Sequence, residues 1–209
     1  MIFGKSGKEQ NHCEKSVDAA VSDIFAKNPL FCENGEKKII KSCAFTGHRD
    51  LTEPEKRRAC EIMRRITARL MREHGTESFY VGGALGFDTA AAVALAHLKK
   101  DFAESGEKPP KIILVCPHDG QESRWKERDQ KIYRSLFNYY DDKICLAERY
   151  YDGCMFARNR YMVDRADLVI ACLDRARRTG GSLMTVGYAE RKGIPVLNLF
   201  DEIKAGGIS

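Results

Sequence analysis

From about residue 39 onward, short apolar runs alternate with longer stretches in which apolar positions recur at helical spacing. The short runs are IIKSCAFTG (39–47), SFYVGG (78–83), KIILVC (111–116), KICLA (143–147), DLVIACL (167–173) and IPVLNLF (194–200). Their length, and the glycines and polar residues that bound them, predict strands. The intervening stretches predict helices at roughly 54–74, 87–101, 122–138, 154–165 and 181–192. The first shows the period best. Ala59, Ile62, Met63, Ile66 and Leu70 fall on one stripe, and Arg58, Arg65, Arg69 and Arg72 on another.

Mostly apolar strands separated by helices imply a parallel sheet covered on both faces. Right-handed crossovers then give an α/β fold: Rossmann-like, doubly wound, with a mainly parallel sheet of about six strands. Residues 1–37 break the pattern. Val17, Ala20, Val21, Ile24 and Phe25 match one helical face, with Ser16 as a candidate N-cap. The expected organisation is an N-terminal helical arm (1–37) that packs on the domain or on a partner, followed by the α/β domain (38–209).

Composition narrows this little. A 43% hydrophobic content supplies a core, and a formal charge of +5 permits an anionic ligand or nucleic acid without demanding either. The arginine stripe reads first as a solvated outer face. The eight cysteines form no C-x-x-C pair. Cys43, Cys116, Cys145 and Cys172 fall in apolar strand runs and are expected as small buried hydrophobes, which suits a reducing cytoplasm. No signal-like or membrane-spanning apolar run is seen, and no cluster has metal-ligand spacing, so neither a membrane, a metal nor a cofactor is expected.

Ligands of an open parallel sheet bind outside the carboxyl ends of its strands. Glycines, hydroxyls and arginines concentrate in the loops that follow those ends. GGALGFD (82–88) carries Gly82, Gly83 and Gly86 into a helix start, where free N–H groups favour an anion. Asp88 is the competing occupant, a carboxylate able to cap that end itself. The G-K-[ST] ending of a nucleotide-hydrolysing P-loop is absent. A second turn, Thr179-Gly180-Gly181-Ser182 with Thr185, offers two glycines and three hydroxyls at another helix start. Thr46, Gly47 and Arg49 follow the first strand, and Arg49 could clamp a phosphate with its fork of donors. His48 could act as a general base, but without a visible partner it reads first as a polar surface residue, and His118 reads the same way. Trp125, Tyr150 and Tyr151 could stack on a base, or pack beneath a loop. Arg158 and Asn159 open a further helix, with surface and ligand roles evenly balanced.

Taken together, TGHR, GGALGFD, CMFARNRYMVDRADLVIACLD and GGSLMTVGYAERKGIPV resemble the YpsA-like branch of the SLOG superfamily, over about residues 39–200. That superfamily includes the Smf/DprA proteins and the lonely-guy (LOG) enzymes. The resemblance implies a Rossmann-like domain that binds a nucleotide or nucleotide-derived small molecule, as a sensor or regulator. Two alternatives come with it. LOG relatives hydrolyse the N-glycosidic bond of nucleoside monophosphates, and MFARN places Arg158 at their arginine. No glutamate follows Gly180-Gly181 at their spacing, which leaves Asp88 as the substitute catalytic candidate. DprA relatives bind single-stranded DNA, and many relatives self-associate, so a homo-oligomer is also allowed.

Overall fold

The computed structural model describes residues 17–26, 28–33 and 36–205. A six-stranded sheet, parallel throughout, is built from β3 (Ser42–Gly47), β4 (Ser78–Val81), β5 (Lys111–Cys116), β6 (Asp142–Cys145), β7 (Leu168–Cys172) and β8 (Val196–Asn198). Ahead of it lies a two-stranded antiparallel ribbon, β1 (Cys32–Glu33) with β2 (Glu36–Lys37). The helices are α1 (residues 17–26), α2 (Glu53–His74), α3 (Phe87–Ser105), α4 (Glu127–Ser135), α5 (Cys154–Val163), α6 (Gly181–Arg191) and α7 (Phe200–Lys204). This is the doubly wound α/β architecture that the alternation predicts.

Side-chain alternation in the strands explains the two layers. Cys43, Phe45, Ile112, Leu114, Leu168 and Ile170 point to one face and join a core with α1, α2, α3 and α7. Ala44, Ile113, Val115 and Val169 point to the other and pack with Met162 of α5 and Ala189 of α6. Both faces are therefore apolar, and the strands read as continuous apolar runs.

Local signals set the helix ends. Thr52 and Glu55 form a reciprocal capping box at the start of α2, with Pro54 in its first turn, and Gly75 closes it in the left-handed conformation. The fourth helix departs from expectation. It begins at Glu127 rather than near 122, because residues 117–126 fold as successive turns held by Ser123 N–H to Gly120 O and Trp125 N–H to Glu122 O, each 2.9 Å. It then tightens into a 3-10 turn over Leu136–Tyr139. Cys145 is also a correction: it is exposed, on an edge strand, β6, most of whose residues are open to solvent.

Val17, Val21, Ile24 and Phe25 of α1 are buried in the same core as α2. Phe25 stacks on Phe31 at 4.2 Å, and the Arg69 guanidinium lies 4.4 Å over its ring. The helix thus packs on its own chain; the candidate cap Ser16 lies outside the described residues. No helix among the described residues is long and apolar enough to cross a membrane.

Candidate functional site

The strand order is β6-β5-β4-β3-β7-β8. From β3 the chain moves outward through β4, β5 and β6, then returns to β3's other side for β7 and β8. The direction reverses between β3 and β7, and the loops leaving those two strands must part, which opens a crevice at their carboxyl ends. A cavity of about 320 Å³ lies there, lined by Thr46, Gly47 and Arg49 after β3, Ala84 and Asp88 beside α3, Met155, Arg158 and Asn159 of α5, and Arg177 and Thr179 to Leu183 around the start of α6.

The start of α6 is its most open donor group. Gly180 holds φ 133° and ψ 157°, a conformation restricted to glycine, and provides no side-chain cap. The first N–H groups of α6 face the cavity without a side-chain acceptor, at the positive end of an eleven-residue helix. Ser182 Oγ donates to Gly47 O at 2.7 Å and pins this start to the end of β3. Thr185 lies a turn deeper, buried. Its hydroxyl donates to Gly181 O and accepts from Asn159 Nδ2, both at 2.7 Å.

The 82–88 turn is arranged differently. The Asp88 carboxylate accepts from Gly82 N–H at 3.2 Å and Ala84 N–H at 2.8 Å. Two donors that the sequence offers to an anion are therefore held by the chain's own carboxylate. Gly82 is glycine for lack of space: a Cβ there would stand 1.7 Å from Arg158 Nη1. Gly83 and Gly86 adopt positive φ, 63° and 78°, and shape the turn without lining the cavity.

Arg158 fills the space that Gly82 leaves. Its Nη1 donates to Gly82 O, its Nε to Asn159 Oδ1 at 2.7 Å, and Nη1 stands 3.8 Å from Asp88 Oδ2. Both charges are almost fully buried. Burial pushes the Asp88 carboxyl up and the Arg158 guanidinium down, and each one's charge opposes the other's shift. Arg158 is accordingly a wall and a strut of the site at once.

Arg49 differs in kind. It is exposed at the rim, near enough to Asp88 and Arg158 to influence both charges, and it makes no ion pair among the described residues. Arg177 also faces the cavity, in a forked pair with Asp50 at 3.3 and 2.8 Å whose hydrogen bonds hold the Asp50 carboxyl below the usual range. Sequence reasoning passes over Arg177, although its run RARRTGG leads straight into the glycine pair.

His48 is a correction. It is buried, and its Nε2 accepts the Asp174 N–H at 2.7 Å, which fixes the ring proton on Nδ1 and ties the two crevice loops together. Burial, helped by the Arg177 charge, pushes its pKa below the ordinary value. Among the aromatics, Trp125 is half-buried against Tyr133, while Tyr150 and Tyr151 are exposed away from the cavity lining. His118 meets Tyr150 edge-on, also outside it. The rings at the cavity are Phe45 and His48.

A sequence profile described as the YspA SLOG family matches residues 43–193. The chain is similar to a UPF0398 protein of Bacillus velezensis, 23% identical over 139 residues, covering 64% of this chain and 74% of the relative. It is 28% identical over 120 residues to a UPF0398 protein of Shouchella clausii, covering 56% and 61%. It is 24% identical over 122 residues to the UPF0398 protein YpsA of Bacillus subtilis, covering 57% and 64%. The last two alignments thus span less than two thirds of those relatives. Among solved structures, DNA processing protein A from Helicobacter pylori, described for its single-stranded DNA binding mode, superposes with a TM-score of 0.52 at 20% identity. It covers 80% of this chain and 73% of its own. That likeness is one of fold.

Proposed function

The chain belongs to the YspA SLOG family, and on that premise we propose that its switch-point cavity binds a nucleotide or nucleotide-derived small molecule by a phosphate, as a sensor or regulator. The observation that carries this reading is the uncapped start of α6 facing an exposed guanidinium without an ion pair among the described residues, Arg49, across one cavity. Backbone N–H groups at a helix start and a forked cation are what a phosphate dianion needs. Thr46, Gly181, Ser182 and Arg177 line the same space. In this reading α6 is the cradle. Gly82, Gly83, Gly86, Asp88, Arg158, Asn159 and Thr185 shape and brace it.

The N-glycosidic hydrolase reading draws less support. Its nominated residues, Asp88 and Arg158, are engaged with backbone amides, with Asn159 and with each other. Single-stranded DNA binding is the Helicobacter protein's described property. The local feature in its favour here is the arginine stripe of α2, and those arginines are in use: Arg58 donates to Glu202 O, Arg65 pairs with Asp18 and Glu61, Arg69 with Glu73, and Arg72 with Glu107. The cysteines described are all free thiols, which fits a reducing cytoplasm.

The test is thermal unfolding of the full chain and of Arg49→Ala against nucleotides, dinucleotides, ADP-ribose and short single-stranded DNA, with products checked for free base. A ligand at a hundred times its dissociation constant adds about 2.7 kcal/mol, a shift of roughly 5–10 °C at this length. Arg49→Ala should keep the unliganded midpoint and weaken binding by about 1.5–3 kcal/mol. A shift with DNA alone, falling steeply with salt, would replace this reading by the DNA one; released base would replace it by the hydrolase.

A further inference from the structure

Strands β5 and β6 both end on cysteine, and the parallel register pairs Cys116 with Cys145. Register partners on neighbouring strands leave the sheet on the same face. Packing agrees: Cys116 belongs to the core under α3 and α4, while Ile144, one position before Cys145, packs on the opposite layer. Adjacent strands lie about 4.8 Å apart, inside the roughly 4.4–6.8 Å Cα separation that a disulfide spans. Both residues are free thiols, Cys145 exposed and Cys116 buried. No other described pair of cysteines shares a register position in either sheet.

Each sulfur is held by an oxygen it can release through a χ1 rotation. Cys145 Sγ lies 3.2 Å from Ala147 O, and Cys116 Sγ lies 3.3 Å from Tyr133 Oη. The hydroxyl of Tyr133 also receives Gln121 Nε2 at 3.0 Å, and the same amide reaches Gly82 O at 3.2 Å. Trp125, the single tryptophan, stands edge-on to Tyr133 at 5.4 Å. The Cys116 sulfur is therefore one end of a buried polar chain with a fluorescent reporter beside it.

We propose that Cys116 and Cys145 are a redox-modification site, forming a reversible intrachain disulfide when the protein meets a hydroperoxide. Cys145, on the exposed edge, reacts first. Its thiolate sulfur attacks a peroxide oxygen, the O–O bond breaks, and the leaving oxygen takes a proton to depart as water or alcohol. The sulfenic acid so formed is attacked by the Cys116 sulfur, whose proton leaves with the displaced hydroxyl as water. Two electrons pass from the sulfur pair to the peroxide, and a dithiol reverses the bond. Burial holds the Cys116 thiol above its ordinary pKa, against the hydrogen bond from Tyr133, so it acts second. Burial pushes the Cys60 and Cys172 thiols up to about 12, which keeps them out of the exchange.

The experiment treats the full chain with stoichiometric hydrogen peroxide, alkylates remaining thiols and maps peptides without reduction. The expected result is one intrachain link between residues 116 and 145, with a change in Trp125 emission that dithiothreitol reverses. Cys145→Ser, an exposed substitution, should abolish both signals, and Cys116→Ser the link. A link from Cys145 to any other cysteine would overturn the proposal, as would Cys145 advancing to sulfinic acid with Cys116 still free. An unchanged emission response in Cys145→Ser would do the same. None of these readouts depends on what the switch-point cavity binds.

Discussion

Arg158 sits only 4% exposed, with its guanidinium in a space that exists because residue 82 lacks a side chain. Removing one partner of a buried ion pair leaves the other charge uncompensated, at a cost of about 3–5 kcal/mol. Arg158→Ala should lower stability by that amount in urea titrations, with or without ligand. Gly82→Ala should be comparably damaging in the wild type, since its Cβ would overlap Nη1, yet cost at least about 1 kcal/mol less once Arg158 is alanine. Additive costs in that cycle would mean the two residues do not share the space. The sequence singles out both residues but not their relation. They are 76 positions apart, and a missing side chain at one leaves no mark at the other. His48 escapes the sequence for the same reason: its partner is a backbone N–H, and backbone donors are invisible in a residue alphabet.

Elements are more legible than residues, because period and punctuation are local. Thr52-Glu53-Pro54-Glu55 announces the start of α2, and Gly75 its end. Periodicity starts α4 too early because 117–126 is held by turn hydrogen bonds and by Gln121, which a pattern of apolar positions does not register. At α6 the two adjacent glycines make different demands. Gly180 holds a φ that other residues rarely adopt, so Gly180→Ala should cost about 1–3 kcal/mol. Gly181 has an ordinary φ and open space where a methyl group would stand, so Gly181→Ala should gain about 0.4–1 kcal/mol. Calorimetric unfolding of the two variants separates them. Equal destabilisation would show that the helix start depends on both glycines.

At the scale of the whole molecule, the alternation of strand and helix reveals the layers, since each strand needs apolar residues on both faces. The strand order is another matter. Nothing local says that β7 returns to β3, so the position of the cavity follows from topology rather than from any motif. That return is held partly by His48, which joins the loops after β3 and β7. Its pKa in the folded chain lies below the ordinary 6.5, so the unfolded chain binds its proton more readily. The stability from the neutral ring is full above that value and is lost as pH falls through the folded pKa. His97 is shifted in the same direction, also chiefly by burial, so the difference between wild type and His48→Gln is the informative curve. Glutamine can still accept the Asp174 N–H, and the midpoint loss between about pH 7 and 5 should shrink in that variant. Parallel curves would place the acid sensitivity elsewhere.

The central pairing of β3 with β7 also sets an order of events during synthesis. Ser42 and Asp167, which meet at the foot of that pair, are separated by 125 positions. While the ribosome is still making the segment between them, β3 can find β4, and β4 can find β5, but the crevice has only one bank. Its second bank and the start of α6 follow only after β6 and α5 have been made. A ligand of this cavity can thus reward only a chain that already includes β7 and the start of α6, acting as a seal on the fold of this sheet and never as its early template.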